Sequence, residues 1–285
     1  MAMHPIAHRR PLPDATPLLD DPQRLHDLAQ AEGVVLLRGL IPQAALRPVQ
    51  QVLTDAASHA GWLKHGTGLA GVVENGSDPS WQQWYRTVQS SRAFHALPHA
   101  PAIQAAMHAV LDGEVLTHPR NIARCVGPQT KAFTTPPHQD VWYIGGTPDI
   151  WTMWAPLTDC PEQLGGLAVL PRTHRLGRLA SRQATGAGGQ GIACALGDAW
   201  AWEPLQAGDV LVFHGQTIHQ GCDNRSDQLR FSIDLRFQLL DEPVREDSLE
   251  PHYHLQTWDE IYRNWPVDDQ LRYYWQRQKL QVVSA

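Results

Sequence analysis

Cysteine is scarce and never paired. Cys125, Cys160, Cys194 and Cys222 are the only four in 285 residues, and no two form a CxxC. That excludes a zinc-knuckle spacing and a small disulfide framework, and it fits a reducing cytoplasm. Long apolar runs are missing as well. The longest, around Val34 to Ile41, is broken by Arg38 and is far too short to cross a bilayer, so no membrane association is expected. The opening MAMHPIAHRRPLPD carries charge with no apolar stretch behind it, so no secretory signal is read. Positive charge is not in surplus either: 23 Lys and Arg stand against 29 Asp and Glu, a net charge of −6, with the basic residues scattered. No footprint for nucleic acid results, and the expected partner is a small molecule bound by a monomer or homodimer. There is no internal repeat and no low-complexity segment.

What is present suffices for one large core, since 42% of the residues are hydrophobic. Residues 1–17, rich in Pro, His and Arg, read as a flexible arm before a single domain over 18–285. Within it, 18–113 reads as helical support and lid, 114–240 as a β core and 241–285 as a helical tail. Pro22, Leu25, Leu28, Ala29 and Gly33 spell a helix from Asp21 to Glu32, followed by a short buried strand at Val34 to Leu37. Pro42 to Leu53 reads as a second helix. Gly61 to Ser91, holding Trp62, Trp81, Trp84 and Tyr85 among Gly, Asn, Ser and Asp, reads as an ordered loop. Ile103, Ala106, Met107, Val110 and Leu111 predict an amphipathic helix stopping at Gly113. From Glu114 the texture becomes short runs such as NIARCV, DVWYI, DIWTMWAPL, GLAVLP, DVLVF and RFSIDLRFQ, which predict successive strands of a sandwich or barrel. TWDEIYRNW from Thr257 carries a capping box with Glu260 and predicts a terminal helix.

The chemistry-bearing stretch is TTPPHQDVWYIGG, from Thr134 to Gly146. If HQD lies in a strand, His138 and Asp140 point the same way and could hold one ion between imidazole and carboxylate. An isolated HxD is ordinarily a surface histidine beside a turn aspartate, but a third ligand candidate closes DVLVFHGQTIHQG. It is His219, with His214 as competitor. Further on, RFSIDLRFQ sets Arg230, Ser232, Asp234 and Arg236 on one face and Phe231, Ile233, Leu235 and Phe237 on the other. The polar face either meets solvent or turns Arg230 inward to grip a carboxylate through its planar fork, with the Ser232 hydroxyl as second donor. HxD, a distal His and that Arg together form a 2-His-1-carboxylate facial triad with an anion anchor, which leaves three positions of an octahedral Fe(II) open for a 2-oxo acid and O₂.

These residues resemble the phytanoyl-CoA dioxygenase family of Fe(II)/2-oxoglutarate oxygenases, in its bacterial small-metabolite branch. HQD at 138–140 is similar to the family's first two ligands, and FHGQTIHQGCDNRSDQLR at 213–230 to its distal ligand and 2-oxoglutarate arginine. Within that stretch the resemblance favours His219 over His214. WAPLTDCPEQLGGLAVLPRTHR from Trp154 is similar to another family segment, although Arg172 stands where Gly is usual and Thr173 where Ser is common. The resemblance implies a double-stranded β-helix, a jelly-roll or cupin-like core in a mainly β fold with flanking helices. It implies Fe(II), 2-oxoglutarate and O₂ as cofactor and co-substrates, hydroxylation of a small metabolite, and Thr135 and Trp154 beside the 2-oxoglutarate.

Desaturation, epimerisation or cyclisation would use the same oxidant. Asp140 argues against halogenation, since halogenases of this type replace that carboxylate. Arg230 argues against a cupin-like metal protein that does without 2-oxoglutarate. Substrate contacts are expected from segments covering the barrel mouth, with Trp84, Trp142 and Tyr143 forming a lid and Arg124, on NIARCV, facing the cavity.

Overall fold

The computed structural model describes residues 9–63, 78–128 and 134–284. In chain order it contains α1 (Pro22–Glu32), β1 (Val34–Leu37), α2 (Gln43–His59), α3 (Pro79–Gln89), α4 (Arg92–Ala96) and α5 (Pro101–Leu111). Then come β2 (Val115–Thr117), β3 (Ile122–Val126), α6 (Val141–Ile144), β4 (Trp151–Pro156), β5 (Gly166–Leu170), β6 (Ser181–Gln183) and β7 (Gln190–Ile192). The chain closes with β8 (Val210–His214), β9 (Ile218–Cys222), β10 (Arg230–Leu239), β11 (Val244–Arg245), α7 (Trp258–Ile261) and β12 (Val282–Val283).

The larger sheet runs β1-β8-β4-β10-β2, with β3 paired to the first half of β10. A second layer pairs β5 with β9 and is extended by backbone bridges from Val169 to Ala201 and from His138 to His219. The strands are antiparallel within both layers. This is the expected mainly β fold. β8 and β9 are consecutive, joined by a tight turn, yet belong to different layers, so the chain crosses between layers there as a jelly roll does.

Burial divides each strand of the large sheet. Val35, Leu37, Val210, Val212, Phe231 and Leu235 face a core shared with α1 to α5. Val34, Leu36, Leu211 and Phe213 face the second layer together with Trp154, Val169 and Ala201. The uninterrupted VVLL of β1 therefore makes physical sense, because both of its faces are covered.

Several expectations need correction. DVWYI is not a strand: Val141–Ile144 is one helical turn opened by Asp140. The loop expected over Gly61 to Ser91 holds α3, capped by Asp78 with Pro79 in its first turn. Residues 64–77 of that span lie outside the described residues. Trp81, Trp84, Tyr85 and Val88 do follow helical spacing, a period that the polar stretch before Pro79 masks. The arm is ordered from Arg9 onward in part: Leu12 is buried, and Ala15 donates its backbone N–H to the Leu36 carbonyl at 2.9 Å. α2 continues past Leu53 because Ala56 and Ala57 extend its buried stripe. α5 stops at Asp112, which itself takes the left-handed conformation expected of Gly113. The tail has its capping box at Thr257 and Glu260, but α7 is a single turn, and what holds the tail is an aromatic cluster of Trp258, Tyr262, Trp265 and Trp275.

Candidate metal centre and its two cavities

His138 and His219 are locked face to face by their own backbones. The His138 N–H donates to the His219 carbonyl at 2.9 Å, and the His219 N–H donates back at 3.1 Å. Each imidazole donates from Nδ1 to the carbonyl two residues earlier, His138 to Pro136 at 2.8 Å and His219 to Thr217 at 3.0 Å. These bonds fix the tautomer and leave both Nε2 lone pairs free. Burial, followed by the neighbouring His138, pulls His219 down to about 3, so its ring is neutral and available as a ligand.

Asp140 completes the set, and its two oxygens have different neighbours. Oδ1 lies 3.5 Å from His138 Nε2 and 3.6 Å from His219 Nε2. Oδ2 accepts from the Thr152 hydroxyl at 2.5 Å and lies 3.2 Å from the Arg236 guanidinium. Burial pushes the carboxyl up, but Arg236, then His219 and His138, override it and hold Asp140 well below the usual carboxylate range. The charged form is thus favoured with one oxygen held from behind and the other presented. Ligand atoms of His138, Asp140 and His219 all lie within 4.8 Å of one another, and all three residues are buried. His214 is elsewhere, with its Nε2 3.1 Å from Asp149 Oδ1 and its ring against Trp151.

Arg230 lies at the floor of a narrow inner cleft that also reaches the three ligand residues, Thr135 and Trp154. Its Nη1 donates to the carbonyls of Leu164, Gly166 and Cys222 at 3.2, 3.2 and 3.0 Å. Gly165 makes this seat possible. It has φ +87°, and a Cβ there would stand 2.4 Å from the Cys222 carbonyl oxygen, so no side chain fits between β5 and β9. Arg230 Nε remains buried without a partner.

The other anticipated residues separate clearly. Arg124 lines the inner cleft and a larger outer cavity of about 260 Å³, and its Nε donates to Asp234 at 2.6 Å. Tyr143 lines the outer cavity. Ser232 is fully buried with an unpartnered Oγ, but it does not line the cleft. Trp142 donates Nε1 to the Leu179 carbonyl and packs beside the second layer instead of entering either cavity. Trp84 is a correction: it is 1% exposed, stacked on Phe231 at 6.1 Å and bonded to the Leu53 carbonyl, so it fills the core and covers no site.

Residues that went unassigned also meet here. Arg236 could have been found, since it continues the polar face begun by Arg230. Thr152, Arg120, His252 and Tyr253 offered no local signal. Tyr253 is brought in by edge contacts with Trp81 and Tyr85, and His252 by the Tyr85 hydroxyl 2.5 Å from its Nδ1.

The sequence model of the phytanoyl-CoA dioxygenase family (PhyH) matches residues 29–232. The chain belongs to this family. It is 27% identical over 240 residues to a 1-deoxypentalenic acid 11-beta-hydroxylase of Streptomyces exfoliatus, a match covering 79% of this chain and 84% of that one. The fold is shared with the alpha-ketoglutarate-dependent epimerase SnoN (TM-score 0.59, 19% identity, 79% and 86% of the two chains covered). It is shared also with EctD from S. alaskensis (TM-score 0.58, 14% identity, 87% and 85% covered). The enzyme is an iron- and 2-oxoglutarate-dependent oxygenase of cupin-like fold. The residues present fit such cofactors. Two imidazoles and a carboxylate converge as a facial set, and the buried unpartnered nitrogens of Arg230 and Arg236 await an anion.

The departure at Arg172 now has a physical reading. It adopts φ +67°, the conformation for which Gly is suited, and its guanidinium forks onto Glu32 at the end of α1. Thr173 supplies the hydroxyl that Ser would, donating to Leu170 and accepting from the Ile218 N–H at the start of β9.

Proposed function

We propose that this enzyme hydroxylates an unactivated C–H bond of a small-molecule metabolite. His138, Asp140 and His219 would hold the iron, and Arg230 would anchor the far carboxylate of 2-oxoglutarate, with Thr135 and Trp154 along its length. When bound, iron with 2-oxoglutarate and O₂ supplies an oxidant able to take hydrogen from carbon, leaving succinate and CO₂. The chain's own residues bind, orient and exclude water. Pro136 and Thr217 carbonyls aim the two Nε2 atoms, Arg236 and Thr152 hold the outer oxygen of Asp140, and Trp154 with Phe213 keeps the cleft apolar between ligand set and arginine.

One observation carries this reading: an arginine buried to 4% exposure, bonded only to carbonyl oxygens among the described residues, shares a cleft with the candidate ligand set. A structural arginine so deeply buried would be paired. The four free cysteines fit work in a reducing cytoplasm, as monomer or homodimer. No described helix is long and apolar enough to cross a membrane. The test is to supply iron-loaded enzyme with 2-oxoglutarate, air and pooled metabolites, and to read succinate and products heavier by one oxygen atom. Iron-bound enzyme that neither binds 2-oxoglutarate nor forms succinate would contradict the reading.

A further inference from the structure

The outer cavity, about 260 Å³ beside His138 and Asp140, combines apolar surface from Ile122, Tyr143 and Ile144 with the guanidinium groups of Arg120, Arg124 and Arg236. Together with the inner cleft, the lining carries four arginines, counting Arg230, against two carboxylates, Asp140 and Asp234. Iron(II) and the dianion of 2-oxoglutarate cancel in charge, so a positive surplus remains when both are bound. Among buried side chains such as Arg236 and His118 such a surplus is costly unless an anion joins it.

Arg124 is paired through its Nε with Asp234 and Arg236 through its Nη2 with Asp140, but donors remain on this wall. Arg236 is 5% exposed, and its Nε and Nη1 have no hydrogen-bond partner. Arg120 makes one hydrogen bond, Nε to the Glu250 carbonyl at 2.8 Å. Asp247, whose field reaches Arg120, is itself forked by Arg245 at 2.5 Å. His252 lies in the field of all three cavity arginines. Its burial, and then Arg124, Arg120 and Arg236, hold it neutral, so it adds no counter-charge and no competing cation.

We propose that the substrate is a small carboxylic acid, its carboxylate lodged among Arg120, Arg124 and Arg236 and its hydrocarbon body lying along Tyr143 and Ile144 toward His138 and Asp140. The proposal rests on the oxygenase reading and narrows its substrate to a class. Planar guanidinium forks suit a carboxylate, and the remaining lining suits carbon.

The test uses anaerobic iron(II) enzyme saturated with 2-oxoglutarate, titrated calorimetrically with a panel of alicyclic and aliphatic carboxylic acids, each matched to its primary amide. Acids should bind about tenfold or more tighter than their amides, the effect of one or two charge-assisted hydrogen bonds. Arg120→Gln should remove most of that preference, Arg120→Lys should keep part of it, and both should retain 2-oxoglutarate binding. Amides that bind as well as acids, an acid preference unchanged in Arg120→Gln, or no acid binding to enzyme that holds 2-oxoglutarate would each overturn the proposal. Enzyme that does not bind 2-oxoglutarate would instead overturn the reading beneath it.

Discussion

On one face of β10, Phe231, Ile233, Leu235 and Phe237 pack into the core shared with the N-terminal helices. On the other, Arg230, Ser232, Asp234 and Arg236 are just as buried, between 0 and 5% exposed. The apolar face is complete as folded, because packing satisfies it. The polar face is incomplete: Arg230 Nε, Ser232 Oγ and Arg236 Nε and Nη1 lack partners. A single strand thus separates its two roles by its two-residue period, with the fold resting on one side and the proposed cofactor site on the other.

Breaking the functional side at its metal end should give the largest effect. His138→Ala, Asp140→Ala and His219→Ala should each abolish succinate formation, whereas His214→Ala, whose side chain meets Asp149, should retain it. Breaking the structural side should do the reverse. Phe231→Ala or Trp84→Ala should cost about 3 to 5 kcal/mol of stability, as truncation of a buried aromatic does. The surviving folded fraction should bind 2-oxoglutarate normally, read by chemical denaturation beside calorimetry. Trp84 sharpens the comparison because it stacks on Phe231 and reaches neither cavity.

The functional side can also be broken at its far end. Arg230→Ala should weaken 2-oxoglutarate by about 2 to 4 kcal/mol and Arg230→Lys by less, since a lysine cannot reproduce the fork. Arg230→Ala should also lower the thermal midpoint, because the Leu164, Gly166 and Cys222 carbonyls lose their donor, so the affinity is read on the folded fraction.

A further effect is one of pH. Burial pulls His95, packed among helix aromatics, and His118, at the cavity wall, from their ordinary 6.5 to about 4. The fold therefore favours their neutral forms. Their stabilising contribution is complete above pH 6.5 and is lost as pH falls toward 4, where the unfolded chain takes up protons first. Melting temperatures should decline over that window, and a rise on acidification would contradict the assignment.

How far the sequence was legible depends on how local the physics is. The alternation of RFSIDLRFQ displayed β10 and both of its faces, and HxD with a distal histidine pointed to three residues that the fold does bring together. The same alternation could not say that the polar face was enclosed, because enclosure comes from the pairing of β5 with β9 into a second layer, which β10 does not itself encode. The spacing of HQD suggests a strand, yet Asp140 opens a helical turn. His138 meets His219 because their backbones bridge, and Asp140 joins them from the start of α6 instead of by an i, i+2 strand geometry. The density of aromatics between Gly61 and Ser91 suggests a lid, whereas the helical spacing of Trp81, Trp84, Tyr85 and Val88 marks a buried face. Arg120, His252 and Tyr253 come together only by tertiary folding, and nothing in their own segments announces it.

The central claim is that the polar face of β10 and the His138, Asp140 and His219 set form one site for iron and 2-oxoglutarate. Its most direct test is the visible spectrum of anaerobic iron(II) enzyme titrated with 2-oxoglutarate, in the parent and in Arg230→Lys. The account expects the weak charge-transfer band of a chelated 2-oxo acid in both, with the variant needing markedly more 2-oxoglutarate to develop it. Iron bound without any such band, or a titration that Arg230→Lys leaves unmoved, would contradict it.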